Sequence, residues 1–183
     1  GNSVGGHTAA RLAIESPALV QGLVLVSPGG FTPPGWRVQA FCKLQSSRFS
    51  LAPRRFAGLY AGKRNATIDA MLARARGLQA EPARIAVNRA MWRLFSRPEY
   101  SLVTAARQIK APTLLVFGNK DPVISAQRDG QRAASLIPES RLVVLNAAHA
   151  PFAEAPALFL DTLMPFLARL DATKEPVALK ALA

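Results

Sequence analysis

Three short hydrophobic runs in the chain predict buried β-strands. Each consists mainly of aliphatic residues and lacks the alternation of apolar and polar positions that a half-exposed strand shows. Continuous hydrophobicity of this kind is typical of parallel strands that are covered on both faces of the sheet. The three runs are Leu23–Val26, residues 113–117 and residues 142–145.

Helical patterns surround these strands and cover residues 8–15, 125–136 and 155–170. The last pattern contains Pro156 near its start, where proline fits the first turn of a helix. Pro165 lies inside the same pattern and removes one backbone hydrogen bond, so we expect a kink or an early end there. The alternation of helices with apolar strands predicts an α/β fold.

Residues 31–110 show no strand pattern and instead predict several amphipathic helices. Turn-forming sequences flank this segment, at residues 32–35 and 109–112. We therefore expect a helical insertion, residues 31–110, between two parts of an α/β core, residues 1–30 and 111–170, followed by a loose tail, residues 171–183. The helices predicted in the insertion are residues 36–49, 53–61, 67–76 and Pro82–Phe95.

The charge distribution separates the insertion from the core. The chain of 183 residues is 50% hydrophobic and 19% charged, which is typical of one soluble globular protein. Its net charge of +12 lies entirely in residues 31–110, which contain 15 Lys and Arg but only 3 Asp and Glu. These bases are spaced among apolar residues and are mostly arginine, which differs from a disordered basic tail.

Several classes of protein are excluded by what the chain does not contain. No stretch approaches the roughly 18 uninterrupted apolar residues of a membrane span, and no signal peptide is recognisable, so we expect a cytoplasmic protein. Cys42 is the single cysteine, and His7 and His149 are the only histidines, so we expect neither a disulfide nor a metal site. The basic segment carries no nucleic-acid-binding motif, and we expect no nucleic-acid partner.

Residues 1–5 have the pattern G-x-S-x-G and precede a predicted helix. A nucleophile on a tight strand-to-helix turn requires neighbours with almost no side chain, which explains glycine on both sides of Ser3. The backbone N–H of Val4, at the start of the helix, would point towards a developing oxyanion. Taken alone, the same pattern also fits an ordinary helix N-terminus with a glycine-rich approach.

Asp121 and His149 each follow a predicted strand, at the edge of the sheet where parallel α/β folds place their sites. Asp121 alone could cap the next helix, and His149 alone could be a loop residue. Together with Ser3 they give the order Ser, Asp, His, in which the imidazole accepts the serine proton and the carboxylate orients the imidazole. His7 lies four residues after Ser3 on the predicted helix, and we expect it to line or support the site.

In three places the chain resembles a lidded serine hydrolase of the α/β-hydrolase fold family. Residues 1–6 (GNSVGG) resemble the nucleophile elbow, residues 118–123 (GNKDPV) the acid loop, and residues 147–156 (AAHAPFAEAP) the histidine loop with its downstream Glu and Pro. The resemblance covers the chain except its tail, and it implies that the insertion is a lid. Ala148 departs from the glycine that the family usually has there. A serine nucleophile in place of aspartate argues against the dehalogenase and epoxide-hydrolase branches.

The resemblance also implies a missing N-terminal half of the same fold. The family's earlier strands, its first two helices and the loop that supplies the second oxyanion N–H have no counterpart in these residues. We therefore expect the strand Leu23–Val26 to lack a neighbour and to expose an apolar edge. Loss of one oxyanion donor lowers the rate by about 10²–10³-fold, so we expect the chain alone to be weakly active or inactive.

These features predict a serine hydrolase that cleaves an ester or a related bond of a small, mainly apolar substrate and needs no cofactor. Ser3 would attack, His149 would transfer the proton, Asp121 would orient His149, and the Val4 N–H would stabilise the oxyanion. Carbon–carbon bond hydrolysis, thioester hydrolysis and cofactor-free perhydrolysis remain open on the same fold. A non-catalytic ligand- or partner-binding protein also remains open.

The residues of the predicted lid bear on the choice of substrate. Its arginines, with Arg54 and Arg55 as the pair to test, could bind an anionic substrate, because guanidinium pairs with carboxylate or phosphate. The alternative is a solvated basic surface. We expect Phe31, Trp36 and Phe152 to line the substrate pocket. Other large apolar residues could line it too or form the core of the lid: Phe41, Met91, Trp92 and Phe95.

Overall fold

A three-stranded parallel sheet forms the centre of the computed structural model, which describes residues 1–33, 35–50, 58, 61–78 and 81–172. The strands β1 (Leu23–Val26), β2 (Thr113–Gly118) and β3 (Ser140–Leu145) lie side by side in that order. Thr113 is paired with Leu23 on one side and with Ser140 on the other. The three predicted strands and the α/β class are confirmed, and β3 begins two residues earlier than its hydrophobic run.

Residues 1–3 lie along the outer edge of β1. The Ser3 N–H donates to the Val26 carbonyl at 3.0 Å, and the Val26 N–H donates to the Gly1 carbonyl at 2.9 Å. The amino group of Gly1 donates to the Val24 carbonyl at 2.7 Å. The predicted bare edge is therefore wrong at Val24 and Val26, because the segment that carries Ser3 supplies backbone partners there.

Burial differs between the strands. All six residues of β2 are buried, as expected for a central strand covered on both faces. β3 is covered less completely, and its Val144 is 47% exposed. The prediction of full coverage therefore holds for β2 and is wrong for β3, which lies at the edge of the sheet.

Helices cover both faces of the sheet. Leu115 and Phe117 of β2 pack in one hydrophobic cluster with Ala10 and Ala13 of α1 (Val4–Glu15). Leu114 and Val116 point to the opposite face, in agreement with the two-residue period of a strand. There they pack with Phe166 of α7 (Pro156–Ala172). The core thus lies on both sides of β2.

Two of the predicted core helices differ from the structure in detail. The pattern at residues 125–136 forms a π-helical turn, Ala126–Gly130, that continues into α5 (Gln131–Leu136). The pattern at residues 155–170 is preceded by a separate short helix, α6 (Pro151–Glu154). Ala155 separates the two helices because its backbone (φ −140°, ψ 63°) is not helical.

Pro165 does not end α7, which continues to Ala172, so the predicted early end is wrong. Proline removes the hydrogen bond to the carbonyl of Asp161, four residues earlier. Both residues lie on the exposed side of the helix. Water can therefore bind the released carbonyl, and inward-facing Phe166 keeps the helix packed on the sheet.

The insertion between β1 and β2, residues 31–110, contains α2 (Trp36–Gln45), α3 (Ala66–Leu78) and α4 (Pro82–Phe95). α4 has the predicted bounds, and α3 is longer by a residue or two at each end. α2 ends four residues earlier than predicted, because the hydroxyls of Ser46 and Ser47 bond carbonyls of its last turn. The predicted helix at residues 53–61 lies almost wholly outside the described residues, as do residues 173–183 of the predicted tail.

A hydrogen bond joins the start of the insertion to a residue near its other end. The Leu102 N–H donates to the Gly30 carbonyl at 2.9 Å. Gly30 has φ +96°, and a Cβ there would lie 2.8 Å from the Leu102 side chain and 3.0 Å from His7. Glycine is thus required where the chain leaves the core.

Among the described residues, no helix is both long and apolar enough to cross a membrane.

Candidate active site

Ser3 occupies a strained turn between its pairing with β1 and the first residue of α1. Its backbone has φ 53° and ψ −118°, a conformation that costs a non-glycine residue about 1–3 kcal/mol. Ser3 is the N-cap residue of α1, yet its hydroxyl makes no capping hydrogen bond. A plain capping role therefore does not account for Ser3.

The glycines around Ser3 do not share one role. A Cβ on Gly1 would lie 2.3 Å from the Gly5 carbonyl oxygen, and a Cβ on Gly6 would lie 3.0 Å from both Gly1 and Pro28. A Cβ on Gly5 would meet nothing within 4 Å. The steric requirement that the sequence pattern suggested for Gly5 is therefore wrong, and Gly6 is the more crowded position.

His149 and Asp121 are in direct contact. The Nδ1 atom of His149 lies 2.6 Å from the Oδ2 atom of Asp121. The Oδ1 atom of Asp121 accepts the backbone N–H groups of Val123 and Ile124 at 2.9 and 3.0 Å. The Asp121 side chain is fully buried and that of His149 is 9% exposed. Asp121 can therefore orient the imidazole of His149 through Nδ1.

The pKa of Asp121 reflects two opposing influences. Burial raises it, but the hydrogen bond and the charge of His149 lower it, as do the hydrogen bonds from Ile124 and Val123. The net effect lowers the pKa of Asp121 below its ordinary value. The carboxylate is accordingly ionised near neutral pH, the state in which it stabilises an imidazolium.

The loops that carry Asp121 and His149 are joined through their backbones. The Lys120 N–H donates to the Ala147 carbonyl at 2.9 Å. At the end of β2, a Cβ on Gly118 would lie only 2.0 Å from the Ala148 carbonyl oxygen. Only glycine therefore allows the histidine loop to pass this close to the acid loop.

Ala148 stands where the family resemblance predicts glycine. Positive φ among the described non-glycine residues occurs only at Ser3 and Ser27, so the backbone of Ala148 suits an ordinary residue. Its side chain is buried, at 1% exposure, and its N–H donates to the Glu154 carboxylate. The substitution therefore needs no strained loop.

Asn2 connects the turn of Ser3 to the loop of His149. Its side-chain amide donates to the carbonyls of Val26 and His149, both at 3.0 Å. The sequence pattern treats this position as variable, and only the fold brings it next to a residue 147 positions away. Asn2 is thus a candidate positioning residue that sequence reasoning missed.

His7 supports the site without joining the pair of Asp121 and His149. Its ring stacks on Tyr100, with centroids 4.0 Å apart, and its Nε2 lies 3.0 Å from the Tyr100 carbonyl oxygen. Burial lowers the pKa of His7, the hydrogen bond to Tyr100 raises it, and Arg11 lowers it, with a net decrease. His7 therefore favours the neutral form and holds the end of the insertion against α1.

A largely apolar cavity of about 380 Å³ opens between Ser3 and the insertion. Its walls come from the insertion, from the acid loop after Asp121 and from Gly29 and Gly30 after β1. The aromatic rings in its wall contact one another in sequence, from Phe41 and Trp92 through Phe95 to Tyr100. Ser3 thus faces a space of the size and polarity that suit a small organic ligand.

The three predicted pocket residues lie elsewhere. Phe31 is fully buried in the core cluster of α1 and β2. Trp36 is 75% exposed, with the Arg37 guanidinium 5.4 Å above its ring. Phe152 packs with Phe159 of α7. Arg54 and Arg55 lie outside the described residues, and the arginines that line the cavity are Arg37, Arg97 and Arg128.

Arg128 is held in place by its neighbour. Its guanidinium donates to the fully buried Asp129 carboxylate through Nε at 2.8 Å and Nη2 at 2.7 Å. This pairing raises the pKa of Arg128. Asp129 also accepts the Ser125 N–H and so orders the chain after the acid loop.

In the part of the chain that the structure describes, no group of His, Cys, Asp and Glu could hold a metal ion.

Comparison with known proteins shows which family and which solved structures this chain resembles. A family model described as alpha/beta hydrolase fold matches residues 1–156. A hydrolase from Pseudomonas aeruginosa PA01 superimposes with a TM-score of 0.71 at 24% identity, over 91% of this chain and 63% of its own. A thermophilic esterase from Thermogutta terrifontis gives 0.70 at 18% identity, over 93% and 64%.

A serine hydrolase involved in carbazole degradation, the CarC enzyme, gives a TM-score of 0.67 at 21% identity, over 92% of this chain and 62% of its own. At these identities the likeness shows a shared fold. The chain spans less than two thirds of the length of each of these three proteins.

Proposed function

The chain belongs to the α/β-hydrolase fold family, and from this premise we propose that it is the catalytic portion of a serine hydrolase acting on an ester or a related bond. The observation that carries the proposal is the 2.6 Å contact between His149 and Asp121, in a loop bonded through Asn2 to the strained turn of Ser3. If Ser3 were only a helix cap, Asp121 only a turn residue and His149 only a loop residue, their roles would be unrelated. Nothing would then require this arrangement.

The proposed reaction uses the three residues in sequence. The Ser3 hydroxyl attacks the carbonyl carbon of the ester while its proton passes to Nε2 of His149. The ionised Asp121 stabilises the resulting imidazolium through Nδ1. Val4 supplies the first N–H of α1, one of the groups that an α-helix leaves without an intrahelical partner, to the oxyanion. The imidazolium then gives its proton to the departing alcohol, and water hydrolyses the acyl enzyme by the same steps in reverse.

The cavity supports a small and mainly apolar substrate. Ser3 lies in its wall beside the aromatic rings of the insertion, which would hold the acyl or alcohol part of the ester. We extend the proposal to the insertion, residues 31–110, as a lid over this cavity. Arg37 and Arg97 in the cavity wall favour substrates that carry a negative charge away from the ester bond.

Fluorophosphonate labelling tests the proposal directly, because the reagent modifies a serine only when a base activates it. We expect the unmodified chain to be labelled at Ser3 and to hydrolyse a short p-nitrophenyl ester. Ser3→Ala should abolish both activities while the thermal melt stays cooperative. Ser135→Ala is the matched control, because the exposed Ser135 hydroxyl bonds the Arg132 carbonyl of its own helix, away from the cavity.

The same experiment separates the enzyme from a binding protein of the same fold. A folded chain that takes no label and binds an apolar ester equally well with serine or alanine at position 3 would contradict the proposed hydrolase. Labelling of Ser3 with slow turnover would instead keep the triad and place the weakness in oxyanion stabilisation, since one missing donor lowers the rate about 10²–10³-fold.

A further inference from the structure

Glu154 is a buried carboxylate that accepts four backbone hydrogen bonds. It is 6% exposed and lies at the end of α6, five residues after His149. Its Oε2 atom accepts the N–H groups of Gly62, Lys63 and Ala148 at 3.0 to 3.1 Å. Its Oε1 atom accepts the N–H of Ala150 at 3.3 Å. The four donors provide the compensation that a buried charge requires.

The donors come from two distant parts of the chain. Gly62 and Lys63 belong to the helical insertion and precede α3. Ala148 and Ala150 are the residues directly before and after His149. One side chain therefore joins the insertion to backbone N–H groups on both sides of the histidine.

Further contacts lie at the same junction. The Asn65 side-chain amide donates to the Ala153 carbonyl at 2.8 Å. Ile68 and Leu72 of α3 pack in one buried cluster with Ala153 of α6. Gly62 lies so close to the histidine loop that a Cβ there would be 2.8 Å from the Ala148 side chain. The insertion is thus seated on the segment that follows His149.

We propose that Glu154 is a positioning residue, which couples the seating of the helical insertion to the placement of His149 for proton transfer. The coupling rests on the serine hydrolase proposed above, because His149 needs accurate placement only if it moves a proton. Asp121 holds the imidazole from one side and Asn2 holds the histidine carbonyl from another. Glu154 accepts N–H groups on both sides of His149, and the same carboxylate also accepts two N–H groups of the insertion.

Kinetics of Glu154 variants test the catalytic part. We expect Glu154→Ala to lower kcat by about 10- to 100-fold, the range that a displacement of about 1 Å at a catalytic group produces, with little change in KM. Glu154→Gln retains an acceptor oxygen, so its kcat should lie between those of the wild type and Glu154→Ala. Rates are divided by the number of sites that fluorophosphonate labels, so that a loss of folded protein is not counted as a loss of kcat. Glu81→Ala is the control, because that exposed carboxylate contacts only its neighbour Arg84 among the described ion pairs.

A second variant disturbs the same junction from the side of the insertion. Gly62→Val leaves Glu154 intact but forces a side chain against Ala148 and the Glu154 carboxylate. If Gly62→Val and Glu154→Ala disturb the same contact, the double variant should have a kcat within about twofold of the lower kcat of the two single variants. Independent multiplication of the two effects would overturn the coupling. Gly35→Val is the matched control, because a Cβ on Gly35 meets nothing within 4 Å.

Hydrogen–deuterium exchange tests the coupling without any activity. In Glu154→Ala, we expect faster amide exchange in residues 61–65 and 147–150 together, with residues 8–15 of α1 unchanged. Faster exchange in one of the two segments alone, or in neither, would overturn the inference even in an active enzyme. A folded wild-type chain that takes no fluorophosphonate label would instead refute the proposed hydrolase, and faster exchange in both segments of Glu154→Ala would still establish the physical link.

Discussion

The side-chain amide of Asn2 donates to the backbone carbonyl of His149 at 3.0 Å, across 147 positions of the chain. The same amide donates to Val26 at the end of β1. One residue next to the nucleophile candidate therefore sets the distance between the first turn of the chain and the histidine loop. This contact makes Asn2 a direct structural link between the turn of Ser3 and His149.

Substitution of Asn2 should lower both stability and catalysis. Asn2→Ala removes two part-buried hydrogen bonds, so we expect the free energy of unfolding to fall by about 1–2 kcal/mol. We expect kcat for a p-nitrophenyl ester to fall about tenfold, because the histidine loop loses its attachment to the turn. Asn2→Asp places a carboxylate against two carbonyl oxygens and should lower kcat further. Equal kcat in all three proteins would contradict a positioning role.

Asp121→Asn should remove activity and change the pH dependence of stability. The amide holds His149 in the wrong tautomer, and we expect kcat to fall by about 10³–10⁴-fold. Because the folded-state pKa of Asp121 lies below its ordinary value of 3.8, ionisation of Asp121 stabilises the fold above that pH. This stabilisation is lost as the pH falls through the folded-state pKa.

Unfolding with urea at a series of pH values checks this linkage. The difference in unfolding free energy between wild type and Asp121→Asn should shrink as the pH falls below 3.8. A difference that grows on acidification would mean that the folded-state pKa is raised, which contradicts the geometry around the carboxylate.

Two glycines should respond in opposite ways to the same substitution. Gly118→Ala places a Cβ 2.0 and 2.3 Å from the carbonyl oxygens of Ala148 and Ala147, and we expect it to destabilise the fold by more than about 3 kcal/mol. Gly5→Ala meets nothing within 4 Å inside α1 and should stabilise the fold by about 0.5–1 kcal/mol. Denaturant unfolding of both variants measures the difference. A Gly5→Ala variant as unstable as Gly118→Ala would show that the turn at Ser3 is tighter than the structure indicates.

The arginines of the cavity should select for charge. We expect Arg97→Ala, alone and with Arg37→Ala, to lower kcat/KM for a hemisuccinate ester about tenfold, through loss of a charge-assisted hydrogen bond. A neutral ester of the same length should change by less than about twofold. Arg93→Ala on the exposed surface of α4 is the control. Equal losses for both esters would favour the solvated basic surface over an anion site.

Much of the fold could be predicted because burial leaves a local pattern. The apolar runs of β1 and β2 and the bounds of α4 follow from residues adjacent in sequence. The π-helical turn Ala126–Gly130 could not be predicted, since it depends on the buried Asp129 accepting the Ser125 N–H. Burial of a charged residue leaves no mark in a hydrophobic pattern.

The candidate site, like the fold, could be predicted from the sequence only in part. Ser3, Asp121 and His149 could be singled out because each follows a strand position in a short motif. The contacts of Asn2 and Glu154 could not, because their partners lie 147 and up to 92 positions away. The predicted pocket residue Phe31 faces the core, and Tyr100 forms part of the wall. Large aromatic residues look alike in sequence whether they face a cavity or a core.

The backbone hydrogen bond between Gly30 and Leu102 allows the insertion to be exchanged as one segment. Chain exit and return are joined by one hydrogen bond, so a replacement that keeps Phe31 in the core cluster leaves the pairing of β1 with β2 unchanged. Recombination at these two positions could therefore exchange the part of the cavity wall that the insertion supplies without moving Ser3, Asp121 or His149. A replacement segment would still need two successive N–H groups where Gly62 and Lys63 reach Glu154.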